Sequence, residues 1–335
     1  MHMSPISRRQ ARTVVLLALL TLSGLAVAGC GGSSGPDENT IYLVGYSTPG
    51  PIYEKVIEPA FQKTPEGKGV TFVNSFGPSV DQSRAVAEGQ PASVVNFANL
   101  GDVERLVEEG EIVPRYWQNN DAQKSAVAMI VHKGNPKGLK TFSDLLTKDV
   151  KIIIPSSSSS GAARWDFMAI YETERSEGKS KQEALGAIKA ILEKTVAQPR
   201  SAHDAMAAFL EGKGDVLLSY ESEGVNAKRE GKAEYVVPPT TILIDTPIAI
   251  TRDAPPAARA FLEFIKSKEA QELWAAHGYR PIYTGMPGPT PSVAPPAIFR
   301  IDNVGEWKKI DREFFDEQTG SIAKIEQELG IPAGG

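Results

Sequence analysis

Three short runs of small residues stand where a chain can hold an anion without using a charged side chain. Ser47-Thr48-Pro49-Gly50 follows one β-rich run, Gly77-Pro78-Ser79 follows a second, and Ser156 to Ser160 with Gly161-Ala162-Ala163 follow a third. Each run precedes a helical pattern. The first turn of a helix carries N–H groups without intrahelical acceptors and about half a positive charge, so it is a ready anion site. Taken singly, each run is also an ordinary helix cap, since Ser is a preferred capping residue. The five serines in a row also read as a flexible loop. Three such runs at the C-terminal ends of strands point instead to one shared site, because open α/β sheets bind ligands there.

The elements that position these runs follow from periodicity. From Ile41 onward β-rich runs alternate with amphipathic stretches, which predicts an α/β fold with a mostly parallel sheet flanked by helices. Strands are expected at 41–46, 70–75, 94–98, 126–132, 151–154, 216–220, 235–237 and 242–250. Helices are expected at 51–62, 79–88, 102–109, 161–176, 180–194, 201–211, 254–267 and 269–276. The polar, strand-poor stretch 118–124 and the return at Pro238-Pro239 read as crossings between two lobes, 41–122 plus 242–286 and 123–241. From Pro287 a run rich in Pro, Gly and Ala leads to a final helical pattern at 306–315, so 287–335 is expected to strap over the lobes.

Charge and the remaining reactive side chains narrow the chemistry. With 36 basic and 41 acidic residues the formal charge is -5, which leaves no basic stripe for nucleic acid. His132, His203 and His277 have no metal-ligand spacing, and His203 reads as a solvated residue at a helix start. Asp81, Asp166 and Glu221 lie near the proposed cleft in sequence but read as helix N-terminal acids facing solvent. Arg164 either holds the Ser160 loop or makes a surface ion pair, while Trp165 and Phe167 read as core. No metal, cofactor or catalytic residue is expected.

The first 29 residues read as a signal peptide. Arg8, Arg9 and Arg12 precede an apolar stretch, 14–27, that is shorter than the about 20 residues a membrane span needs. Losing three arginines takes the formal charge from -5 to -8. The run Val27-Ala28-Gly29-Cys30 resembles a bacterial lipobox, whose cysteine is diacylated and becomes the first mature residue. Residues 30–40 then form a flexible, glycine-rich tether. Two acyl chains anchor stably where one is marginal. Cys30 is the only cysteine, so no disulfide is available.

Longer motifs carry a family resemblance. Phe76-Gly77-Pro78-Ser79-Val80-Asp81-Gln82, His132-Lys133-Gly134-Asn135-Pro136-Lys137, Ser159-Ser160-Gly161-Ala162-Ala163-Arg164-Trp165 and Gly214-Asp215-Val216-Leu217 through Glu223 resemble, in order, segments of sulfate/thiosulfate-binding proteins. The resemblance runs from about Ile41 to Leu329. It implies a two-lobed periplasmic-binding-protein fold of type II that closes on an oxyanion in the inter-lobe cleft. Carried over by motif, it implies backbone N–H donors from Ser47, Ser79, Gly161, Ala162 and Ala202, a hydroxyl donor from Ser160, and Tyr220 at the family's tryptophan position. Val80, Ser47 and Ala162 depart from the family's usual glycine, aspartate and glycine. The implied role is that of a monomeric lipoprotein, held at the outer face of the membrane through Cys30, that delivers sulfate or thiosulfate to an ABC permease and its ATPase.

A site made only of donors suits sulfate, which is fully deprotonated near neutral pH. It leaves the proton of hydrogen phosphate unsatisfied, a penalty of about 1 to 3 kcal/mol. Tyr220 can also accept, which leaves thiosulfate and protonated oxyanions open. The alternatives are a binding protein for another oxyanion such as molybdate, a serine hydrolase, or a lipoprotein acting as sensor or adhesin. The hydrolase is disfavoured because the one Gly-x-Ser-x-Gly run, Gly31 to Gly35, falls in the glycine-rich tether and not between a strand and a helix, where a nucleophile elbow needs it.

Overall fold

The computed structural model describes residues 38–113, 120–288 and 297–332. The signal-peptide and Cys30 readings, most of the tether and part of the Pro-rich run lie outside these residues. In chain order the first elements are β1 (Thr40–Tyr46), α1 (Gly50–Ile52) running through a π-helical turn into α2 (Glu58–Phe61), β2 (Thr71–Gly77), α3 (Ser79–Ala87), β3 (Val94–Asn96) and α4 (Leu100–Glu108). The middle of the chain supplies β4 (Asp121–Val131), α5 (Phe142–Thr147), β5 (Ile152–Ile153), α6 (Gly161–Ser176), α7 (Lys181–Glu193) and β6 (Thr195–Ala197). Next come α8 (Ala202–Leu210), β7 (Val216–Tyr220), α9 (Glu221–Arg229), β8 (Glu234–Val236) and β9 (Thr240–Ile250). The last are α10 (Pro256–Lys266), α11 (Lys268–Ala276), β10 (Ala297–Phe299), α12 (Trp307–Ile310), a second π-helical turn and α13 (Ser321–Glu328).

The strands follow the order β2-β1-β3-β9-β4-β7-β5-β6, with β10 beside β9 and β8 beside β4. β1 is parallel to both β2 and β3, and β5 is parallel to both β6 and β7. β4 and β9 run antiparallel to each other and to the strands outside them. Both are 11 residues long, and each divides its length between two halves of the sheet. Residues 248–250 of β9 pair with β3, its middle pairs with 121–126 of β4, and 127–131 of β4 pair with β7.

Helices cover both faces of each half, which is why the parallel strands read as continuous apolar runs. In the first half, Ile41, Leu43, Val94 and Ile250 meet Tyr53, Phe261 and Trp274 on one face. Val44, Val95 and Phe97 meet Val86, Val103 and Leu106 on the other. In the second half, Val127, Met129, Ile152 and Leu218 pack against α6 and α7, and Ile130 and Leu217 against α8 and α9. Trp307, Ile310, Phe314, Phe315, Ile322 and Ile325 join the larger of these clusters, and Lys308 reaches back to pair with Glu108 of α4.

The linking segments correct the expectation. Residues 120–124 are not strand-poor, because Asp121 already opens β4. Polarity there has a local cause: Gln123 is buried and donates to the Tyr46 hydroxyl at 2.9 Å, while Lys124 pairs with Asp121 and Asp245. Likewise Pro238-Pro239 precedes β9, and the chain passes between the halves inside that strand.

Candidate functional site

Where the two halves face each other, the loops after β1, β2, β3, β5 and β6 and the end of β7 line a small cavity of about 10 Å³, room for about one water-sized sphere. All seven expected residues, Ser47, Ser79, Ser160, Gly161, Ala162, Ala202 and Tyr220, line it. Among the described residues no Lys, Arg, His, Asp or Glu side chain does so.

Three helices start at this cavity, and the way they start leaves donors free. α3 and α6 begin without a side-chain cap. α8 is capped by the Ser201 hydroxyl, which takes the Asp204 N–H at 3.1 Å and leaves that of Ala202 alone. No acceptor among the described residues takes the main-chain N–H of Ser47, Ser79, Gly161, Ala162 or Ala202. Unpaired buried donors are rare and costly, so their convergence on one cavity is a binding geometry.

The side chains around them hold the loops in place. The Ser79 hydroxyl donates to Asp102 Oδ2 at 2.7 Å and accepts from the Ala98 N–H at 2.9 Å, so Ser79 offers the cavity its backbone rather than its oxygen. The five-serine run is not a loose loop. Ser159 donates through its hydroxyl to Arg200 O, Ser157 donates to the Glu326 carboxylate, and Arg164 Nε donates to Ser157 O at 3.2 Å. Arg164 also pairs with Asp311 at 2.9 Å and is buried, so it holds the Ser160 loop rather than lying on the surface. Trp165 and Phe167 are core residues, and Trp165 Nε1 donates to Ala98 O at 2.7 Å.

Contacts join the halves across the cavity. The Val80 N–H donates to Ser159 O at 3.0 Å, and Arg200 pairs with Asp81. Gly161 sits against Ala98, Asn99 and Ser79 so closely that a side chain there would collide with them. Neither Val80 nor Ala162 takes a positive φ, so these departures from glycine carry no backbone strain.

Two polar atoms point to an occupant. The Tyr220 hydroxyl and Thr48 Oγ1 line the cavity, are buried, and have no hydrogen-bond partner among the described residues. Burial pushes the Tyr220 phenol far above its ordinary range, with further contributions from Tyr46 and the acids Asp166 and Glu223. It therefore stays protonated and can donate. Thr48 escaped the sequence reading although it stands beside Ser47 in the first loop.

The acids differ from expectation. Asp81 is partly exposed and pairs with Arg200. Asp166 and Glu221 do not face solvent: both are buried. Glu221 is held by Arg280 through Nε at 2.6 Å and through a second nitrogen at 3.0 Å. Asp166 has an unpartnered Oδ2, and burial, with Glu223 nearby, raises its pKa well above the carboxylate range. Glu223, donated to by the Ser219 hydroxyl, is pushed up by burial to about 7. Helical position marked these residues as acidic caps; only the packing of β7, α6 and α9 shows their burial. His203 is exposed, as expected.

Residues 41–280 match the family model described as bacterial extracellular solute-binding protein. A sulfate-binding protein of Synechococcus elongatus is 32% identical, over 92% of this chain and 95% of its own. The chain belongs to the sulfate/thiosulfate-binding family of bacterial extracellular solute-binding proteins. A thiosulfate-binding protein of Pseudomonas aeruginosa is 28% identical over 89% of this chain and 94% of its own. Among solved structures, the sulfate-binding protein SubI from Mycobacterium tuberculosis superposes with a TM-score of 0.77 and 34% identity, over 83% of this chain and the whole of that one. The fold is the two-lobed type II periplasmic-binding-protein fold, with the cavity in the cleft between lobes. β4 and β9 are the strands that run from one half into the other. Among the described residues no helix is long and apolar enough to cross a membrane.

Proposed function

We propose that this family member captures sulfate or thiosulfate and delivers it to an ABC permease driven by its ATPase. The observation that carries the reading is a small cavity without charged side chains on which otherwise unpaired N–H groups and two orphaned hydroxyls converge. The ligand-binding set is Ser47, Ser79, Ser160, Gly161, Ala162, Ala202 and Tyr220, with Thr48 added. Hydrogen bonds to a charged group contribute about 1.5 to 3 kcal/mol each, so several together offset the desolvation of a dianion without a cation. The lobes comprise 41–122 plus 242–286 and 123–241, with 287–335 strapped over them. Cys30 carries the lipid that keeps the monomer at the outer face of the membrane.

The protein acts as a binder and not as a hydrolase. In support, no histidine or acid among the described residues lines the cavity beside Ser160 to serve as its base. Titration calorimetry on residues 31–335 with sulfate, thiosulfate, molybdate and phosphate tests the reading. Sulfate or thiosulfate should bind tightest; tighter phosphate than sulfate at about pH 7 refutes a donor-only site. Intact-mass analysis of the membrane fraction, showing Cys30 acylated at a new N-terminus, tests the anchor.

A further inference from the structure

Behind Tyr220 lie two carboxyls that the binding role does not use. Asp166 sits four residues along α6 from Ala162, a rise of about 6 Å, and Glu223 sits three residues along α9 from its cap, Tyr220. Each therefore lies roughly one turn behind a residue that lines the cavity. Asp166 and Glu223 are both buried, and among the described residues neither forms an ion pair. Their polar surroundings are the Ser219 hydroxyl from β7 and the phenols of Tyr220, Tyr46 and Tyr279. The open cleft that Glu223 borders on its other side also carries Lys55, His203, Glu230, Lys232 and His277. Those groups face water, where screening weakens them.

We infer that Asp166 and Glu223 set the charge of the ligand this protein retains, because a dianion is held with uptake of a proton from solvent onto this carboxyl pair. The inference rests on the oxyanion-binding reading of the site. Two carboxylates sharing a buried region without a cation cannot both stay ionised. An anion placed one turn away adds like charge, so the neutral form of the pair is favoured in the bound state. By linkage, whatever the ligand does to the proton the proton does to the ligand. Burial already raises Glu223 to about 7, so at more acid pH the unliganded pair holds its protons and no uptake is needed. Above that pH the unliganded protein loses the Glu223 proton and must regain it to bind. A monoanion imposes half the charge and couples less.

Sulfate titration of the mature chain in two amine buffers of different protonation heat measures the uptake. Between about pH 7 and 8.5 sulfate should bind with uptake of up to about one proton, and Kd should rise by up to about tenfold per pH unit; below about pH 6.5 it should be flat. Glu223→Gln should still bind, with uptake near zero and a flat Kd; should that variant misfold by circular dichroism, Glu223→Met should flatten the profile in its place. A wild-type Kd independent of pH, with equal buffer-corrected heats, overturns the inference while leaving the site intact. So does a slope unchanged in both variants. Absence of sulfate and thiosulfate binding at every pH overturns the oxyanion reading itself, and this inference with it.

Discussion

Replacing Gly161 with alanine separates closure of the cleft from hydrogen bonding within it. The substitution keeps the N–H at the start of α6 and adds one methyl. That carbon would lie 2.4 Å from Ala98 Cβ, 2.9 Å from Asn99 Nδ2 and 3.4 Å from Ser79 Cβ. Carbon atoms rest at about 3.5 to 4.0 Å, so the facing loops must part by about 1 Å or more. Local yielding is restricted, because Ala98 is tied at both ends to Ser79 and Trp165, and Asn99 caps α4 through the Asp102 N–H. Overpacking of this kind costs about 1 to 3 kcal/mol. The cost falls on the closed state, since opening the cleft relieves the contact. Sulfate Kd should therefore rise by about 5- to 150-fold. The melting temperature of the unliganded protein should be unchanged or slightly higher, as alanine narrows the unfolded ensemble. Calorimetric titration with parallel thermal unfolding reads both. Affinity within about twofold of wild type would show that the ligand does not require this closed approach.

Tyr220→Phe removes a buried hydroxyl that has no protein partner. Stability of the unliganded protein should hold or rise by about 1 kcal/mol in urea unfolding, while sulfate affinity falls about tenfold. Arg164→Ala strips the partner from Asp311 and the clamp from the Ser157 carbonyl, and should cost about 3 kcal/mol by the same assay. Trp307 fluorescence should report loosening of the C-terminal segment. Glu223 gives stability a sign with pH. Its folded pKa is raised from 4.5 to about 7, so the folded state holds a proton that the unfolded chain has released. Stability should fall as pH rises through that window, by up to about 3 kcal/mol, and Glu223→Gln should flatten that fall.

The sheet and most helices were legible because apolar periodicity and caps agreed, as at α7, where the Ser180 cap opens the expected range 180–194 and the observed helix is Lys181–Glu193. Elements escaped where one signal was missing. α9 carries only Val225 and Ala227 as apolar residues around Gly224, so no helical stripe marks it. β6 and β10 have three residues each, too few for an alternation to register. α13 lies beyond 306–315, the last helical pattern expected in the C-terminal strap. β4 was expected to begin at 126 because Gln123, Lys124 and Ser125 look like loop residues; their partners come from β1, β9 and α9. At the site, small residues after strands could be read directly, since position along the chain sets which N–H groups a helix leaves unpaired. The burial of Asp166 and Glu221 could not, because it depends on Tyr220, Tyr279 and Arg280, which only the folded chain brings near.

The C-terminal segment has a bearing on how the molecule is made. Ile301, Trp307, Phe314 and Ile322 complete the same apolar cluster as Val127 and Trp165, so half of the protein lacks part of its interior until these residues have been synthesised. Packing of that half therefore waits for them. For a member of an extracellular family, the delay keeps the nascent polypeptide pliable for longer before it assembles around its ligand.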